Sequence, residues 1–280
     1  MLEQVKGPSF IISSFKHILV VFFLIATINT VFAQGDLLVN PKRIVFEGRK
    51  NIKKLLLANT GKDTAVYKIS FIEYKMDENG EMIIISEAEQ GQRFASSHVR
   101  VYPRKVVLGP GEGQTVKVQL TNTQNLTEGE YRSHLHFRAD KINKPLGLPG
   151  KEKDSAIFVK LEAVFGISIP CIIRKGENTT RISISDLQFS KENDELQFNL
   201  NRKGNMSAYG DFTINYISTD NTSHEVARMK GVGVYVPGTV RKMSLHLQRP
   251  EGIHFSNGKF KVVYTVNESK KVIAEAEQEI

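Results

Sequence analysis

Apolar and polar residues alternate along most of this chain, and one alternating run is much longer than the rest. Within Ser155–Pro170 every second position from Ile157 is apolar: Ile157, Val159, Leu161, Ala163, Phe165, Ile167 and Ile169. The positions between them are mixed (Phe158, Lys160, Glu162, Val164, Gly166, Ser168). A period of two predicts a β-strand with one apolar face, and typical strands have only about five or six residues. Shorter runs precede it. Leu37–Phe46 reads as extended, with Pro41 confining it to a sheet edge or a bulge. Ala65–Tyr74 places Ala65, Tyr67, Ile69 and Phe71 on one face. Asp77-Glu78-Asn79-Gly80 predicts a hairpin turn, with Met82–Ile85 as the return strand. Gly109–Gly113 is a tight turn before the alternating Gln114–Leu120, and Tyr131–Ala139 leads through the polar stretch Lys141–Asp154 into the long run. About seven or eight strands at this spacing, without an amphipathic helix, predict an antiparallel sandwich, with a closed barrel as the alternative.

A polar break at Arg174–Thr180 separates this series from a second one. Its period-two faces are Leu196/Phe198/Leu200, Met243/Leu245/Leu247 and Phe260/Val262/Tyr264, and Asn257-Gly258 marks a turn. The expected organisation is therefore two all-β domains, residues 34–172 and 173–280. A length of 280 residues agrees, because domains commonly run about 100–150 residues.

The first 33 residues belong to neither domain. Lys6, Lys16 and His17 form a basic lead, Ile18–Ile28 an apolar core, and Val31-Phe32-Ala33 a cleavage site before Gln34. This is the pattern of a secretory signal peptide cleaved after Ala33. The apolar core falls short of the ~20 residues a spanning helix needs, so stable membrane insertion is not expected. Removing the segment takes away Lys6, Lys16 and Glu3, which moves the formal net charge from +8 to +7. The basic residues are scattered rather than blocked, which argues against nucleic acid and suits acidic partners or a carboxylate terminus. Cys171 is the single cysteine, so no internal disulfide forms and the thiol reads as a small apolar filler.

Catalytic patterns are missing from the sequence. It has no G-x-S-x-G, no H-E-x-x-H and no phosphate-binding Gly-Lys-Ser/Thr loop. His134 and His136 form an H-x-H pair with no third ligand nearby, and read as strand histidines on a solvated face rather than as a metal site. Gly231-Val232-Gly233 reads as a strand whose glycines allow a bulge or a close backbone approach. No enzyme, metal or cofactor is expected.

Three stretches occur in order: Asn40-Pro41-Lys42-Arg43-Ile44-Val45-Phe46-Glu47-Gly48, then Leu108-Gly109-Pro110-Gly111-Glu112, then the long strand ending Gly166-Ile167-Ser168-Ile169-Pro170. Together they resemble the PapD-like periplasmic chaperones of chaperone–usher pili, and the G-I-S-I-P ending is most similar to the divergent, archaic-type members. The resemblance is best over Leu37–Arg174. It implies two immunoglobulin-like β-sandwich domains set at an angle. It also implies a function: binding, folding and capping pilus or fimbria subunits in the periplasm, and delivering them to an outer-membrane usher.

The mechanism it implies is donor-strand complementation, a form of β-augmentation in which the long strand completes a subunit that lacks its own last strand. By the period, Ile157, Val159, Leu161 and Ala163 are the donor side chains. A free donor strand would also permit self-association. In the family, basic side chains hold the subunit's C-terminal carboxylate. Arg43 stands at the motif position of the first anchor. The second, a lysine late in the long strand, is not matched, and Arg132 is its candidate substitute. The rival reading is a secreted two-domain adhesive or structural ligand-binding protein, in which the long strand is ordinary core.

Overall fold

The computed structural model describes residues 37–140, 165–266 and 271–280. The expected signal peptide and the donor positions Ile157, Val159, Leu161 and Ala163 lie outside these residues. Among the described residues no helix is long and apolar enough to cross a membrane.

The first half contributes β1 (Leu37–Asn40), β2 (Ile44–Phe46), β3 (Ile52–Asn59), β4 (Ala65–Ile72), β5 (Tyr74–Met76), β6 (Met82–Ile84), β7 (Val99–Tyr102), β8 (Lys105–Leu108), β9 (Gly113–Leu120), β10 (Gly129–Asp140) and β11 (Gly166–Lys175). One sheet has the order β1-β3-β9-β7 and the other β2-β11-β10-β4-β8. These are the strand neighbours of an immunoglobulin-like sandwich, with the first strand divided between the sheets. Pro41 accounts for the division: it lacks an N–H, and the chain on either side forms an edge strand of a different sheet. β1 pairs antiparallel with β3, whereas β2 pairs parallel with β11, Cys171 opposite Ile44.

The inward residues form one core that includes Ile44, Phe46, Leu55, Leu57, Leu135, Phe137, Ile169, Cys171 and Ile173. Burial, with Glu73 nearby, pushes the Cys171 thiol up to about 12, so it stays protonated and acts as packing. The hydroxyl of Tyr131, near the start of β10, accepts the backbone N–H of Thr127 at 3.0 Å, the tyrosine corner of such sandwiches.

The second half contributes β12 (Arg181–Ser190), β13 (Glu195–Lys203), β14 (Ala208–Ile217), β15 (Ser223–Val234), β16 (Val240–His246), β17 (Lys259–Val266) and β18 (Val272–Glu279). Its sheets are β12-β13-β16 and β15-β14-β17-β18. Leu196, Phe198 and Leu200 from one sheet meet Phe212, Phe260, Val262 and Tyr264 from the other in a separate core. The all-β expectation therefore holds in both halves, and both are sandwiches rather than closed barrels.

Strand β11 passes through Pro170 and reaches Lys175, with Ile173 still in the first core. The polar segment before β12 is then Gly176–Thr180. The predicted hairpin at Asp77–Gly80 joins β5 to β6, and its tip reaches the second sandwich, where Lys242 N donates to Glu78 O at 2.6 Å.

Candidate functional site: the outer face of β10 and β11

Strand β10 has two faces with different tasks. Tyr131, Leu135 and Phe137 point into the first core. Ser133 also points inward, and its hydroxyl accepts the backbone N–H groups of Ala95 and Ser96, each at 2.9 Å. By alternation Glu130, Arg132, His134 and His136 take the outer face. The register aligns them with β11 and β2: Glu130 lies opposite Arg174, Arg132 opposite Ile172, and His134 opposite Pro170, which neighbours the residue paired with Ile44. Arg43, one residue before β2, therefore shares a row with Pro170 and His134.

Glu130 forms the joint between the sandwiches. Its side chain is fully buried and accepts Nε of Arg174 at 3.1 Å. It also accepts the backbone N–H of Ser207 at 2.9 Å and the Ser207 hydroxyl. Arg174 in turn donates to the Ser207 carbonyl at 2.8 Å, and the Ser207 hydroxyl accepts the N–H of Val236 at 3.0 Å. One carboxylate thus links the end of β11 to the segment leading into β14, and each of its oxygens has a partner, as a buried charge requires.

Arg132 is buried differently. It is only 4% exposed, and its guanidinium donates to the carbonyl of Tyr74 at 3.1 Å. Nε and Nη1 have no hydrogen-bond partner among the described residues. The Tyr235 ring lies over the group, 4.5 Å from Cζ to the ring centroid. A desolvated cation–π contact contributes about 2 kcal/mol, less than full pairing would supply. Burial accordingly lowers the Arg132 pKa, against the opposing pull of Tyr235, Glu130 and Glu73.

Arg43 stacks against Tyr209 and lies near the same Tyr235. Its Cζ is 4.3 Å from the Tyr209 centroid and 5.7 Å from the Tyr235 centroid. It is half-buried, and Nη1 reaches the Tyr235 hydroxyl at 3.5 Å. The structure therefore brings Arg43 and Arg132 to one place, both close to the Tyr235 ring.

His134 is not solvated as the sequence reading had it. It is 5% exposed and meets Tyr74 edge-on at a centroid distance of 4.8 Å. Burial, with Arg132 and Arg43 nearby, lowers its pKa to about 3, so the imidazole is neutral at neutral pH. His136 is half-buried and sits where a Cβ on Gly166 would be, 2.4 Å from Nε2.

Tyr209 and Tyr235 escaped the sequence reading, although their signal was present. Gly231 sits at a break in the β14–β15 register with φ +73°, and a Cβ there would be 2.8 Å from the Tyr209 hydroxyl. A Cβ on Gly233 would be 3.2 Å from Cζ of Tyr235. The Gly231-Val232-Gly233 run thus makes room for both rings.

At the open end of β11, the odd-numbered residues Ile173, Cys171, Ile169 and Ile167 lie in or against the first core. Phe165 continues the row: its carbonyl accepts the N–H of Ala139 at 3.1 Å, but its side chain is 60% exposed.

No family model matches the chain. No curated protein matches it either. Among solved structures, the YadV chaperone is 10% identical over 88% of this chain and 100% of its own, with a TM-score of 0.45. The CsuC–CsuE chaperone–tip adhesion subunit pre-assembly complex from archaic chaperone-usher Csu pili of Acinetobacter baumannii is 13% identical over 86% of this chain and 98% of the other, with a TM-score of 0.46. The CupB2 chaperone of Pseudomonas aeruginosa is 10% identical over 87% of this chain and 100% of its own, with a TM-score of 0.42. Likeness of this degree does not by itself fix a function.

Proposed function

We propose that this chain is a periplasmic chaperone of the PapD-like, archaic type that binds, folds and caps pilus or fimbria subunits by lending them a strand. The observation that carries the reading is the row of odd-numbered side chains along β11. It fills the protein's own core up to Ile167, and the sequence keeps the same period through the exposed Phe165 to Ala163, Leu161, Val159 and Ile157. Those four residues follow the same period beyond the last described pairing, between Arg138 and Gly166. A subunit that lacks a strand exposes an apolar groove and two unpaired edges. Backbone pairing would satisfy the edges, and the four side chains would fill the groove. Each aliphatic side chain buried there contributes about 1.5–3 kcal/mol. The process needs no nucleotide, cofactor or metal, and delivery is to an outer-membrane usher.

Arg43 takes the subunit's C-terminal carboxylate. It is half-exposed, carries a fork that matches a carboxylate, and is oriented by stacking on Tyr209. Arg132, beneath the Tyr235 ring, adds a second buried positive charge to the same place.

Arg43→Ala is expected to weaken binding of a purified subunit by about 30-fold, the equivalent of about 2 kcal/mol for a charge-assisted bond. The same substitution should leave binding of a C-terminally amidated subunit unchanged. Titration calorimetry with both subunit forms checks this, and equal affinity of the Arg43→Ala protein and the parent for the native subunit would refute the anchor.

A further inference from the structure

A cleft of about 1130 Å³ opens beside Arg43, between β2 and the second sandwich. Its charge is one-sided. Lys42, Lys53, Lys54, Arg181 and Lys271 line it together with Arg43 and Arg174, and Glu47 is the one acidic side chain among the described lining residues. Glu47 is already engaged by Arg174 at 3.5 Å. Among the described residues, no carboxylate pairs with Lys42, Lys53, Lys54 or Arg181 within ion-pair distance. Like charges gathered in a concave, partly apolar wall raise the local potential and the concentration of anions. Holding Lys42, Lys53, Lys54 and Arg181 there without a carboxylate opposes folding, so an anionic occupant would gain from each of these four.

The rest of the lining identifies the kind of anion. Val266, Val272 and Ile273 place an apolar strip beside the cations. The cleft is also bordered by strands that end their sheets: β2, β12 and β18 are each terminal in the strand order. A terminal strand presents N–H and C=O groups that an extended chain can pair with. Tyr209, the aromatic side chain among the described lining residues, already has one ring face occupied by Arg43. Cations, an apolar strip and terminal strands together match an extended peptide with acidic and apolar residues in alternation. They match a nucleic acid or a compact phosphate less well.

We propose that this cleft, which adjoins the carboxylate anchor at Arg43, is a second docking site that takes an extended acidic segment of a partner polypeptide. Lys53, Lys54 and Arg181 hold the carboxylates, and the strip at Val272 and Ile273 takes the apolar side chains. The assignment rests on the charge and edges of the cleft and is independent of the donor strand.

The test uses the mature full-length protein and a fluorescent dodecapeptide of alternating Asp and Val with an amidated C-terminus, which removes the carboxylate that Arg43 would read. Anisotropy titrations should show binding that weakens at least 10-fold between 50 and 500 mM salt, as exposed charge pairs do. An Asn/Val peptide of the same length should bind at least 10-fold more weakly. The combined variant Lys53→Ser/Lys54→Ser/Arg181→Ser should lose at least 10-fold in affinity for the Asp peptide while its melting temperature is retained. Lys54→Glu alone, at an exposed position, should lose several-fold and serves if the triple variant is unstable. Equal binding of the Asp and Asn peptides would overturn the proposal, as would unchanged affinity in the variants. Tighter binding of inorganic polyphosphate than of the Asp peptide, lost with the same substitutions, would overturn the peptide assignment.

Discussion

Replacing Leu161 with aspartate is expected to abolish subunit capture and leave the chaperone itself folded. Leu161 is central among the four proposed donor side chains. Removing it forfeits about 1.5–3 kcal/mol of burial. Placing a carboxylate in an apolar groove adds several kcal/mol more, because no partner there satisfies the charge. A combined loss of about 4 kcal/mol or greater corresponds to roughly a thousandfold in affinity. Among the described residues the first core is assembled from Leu37 through Ile173 with Ile167 packed against it, and the donor reading assigns Leu161 to the subunit's groove rather than to this core. The variant should therefore melt within a degree or two of the parent. The check is co-purification from periplasm together with a binding titration on a purified subunit. If Leu161→Asp captures subunits as well as the parent does, the long strand is not the donor, and the rival reading of a two-domain adhesive gains.

Glu130→Ala is expected to produce the largest loss of stability among the site residues. It removes the acceptor for Arg174 Nε, the Ser207 N–H and the Ser207 hydroxyl together. Removing one partner of a buried ion pair costs about 3–5 kcal/mol, because the remaining charge and donors stay desolvated. Arg174 keeps some solvent contact, its side chain being 15% exposed, so the lower end applies, about 3 kcal/mol. Because Glu130 links the two sandwiches, the loss should also appear as two separate unfolding transitions in place of a coupled one. Glu130→Gln keeps one acceptor oxygen and should cost less than Glu130→Ala. Denaturant melts of the three proteins decide the matter: a loss below ~0.5 kcal/mol in Glu130→Ala, the size expected of an ordinary surface substitution, would mean that the joint is held elsewhere.

The strands were legible because period-two burial leaves a direct trace in composition. Leu196, Phe198 and Leu200, picked out by alternation, are each at most 2% exposed. The division of Leu37–Phe46 into β1 and β2 was half legible: Pro41 marked an edge, but a change of sheet depends on where β3 and β11 lie. The path of β11 through Pro170 was hidden, because a proline inside a strand usually argues against one.

The site was less legible than the fold. Arg43 and Arg132 could be named from the motif and the strand. Their shared partner Tyr235 lies 192 positions from Arg43, and nothing in local sequence encodes such a contact. His134 misled for a related reason. Its outer-face position was readable, but the cover that removes its solvent comes from Tyr74, beyond the end of β4. The glycines at 231 and 233 announced a close approach without saying what approaches. Long-range contact converted an apparently solvated face into an enclosed one, and the basic cleft arises in the same way, from residues of both sandwiches.

The central claim is that the segment carrying Ile157, Val159, Leu161 and Ala163 becomes a strand of the bound subunit. Amide hydrogen exchange, compared with and without a subunit that lacks its last strand, tests it most directly. The account predicts that amides across 157–163 gain strong protection on binding, in the alternating pattern of strand pairing, while those of β13 and β14 do not change. Binding that leaves the amides of 157–163 exchanging as in the free protein would contradict it.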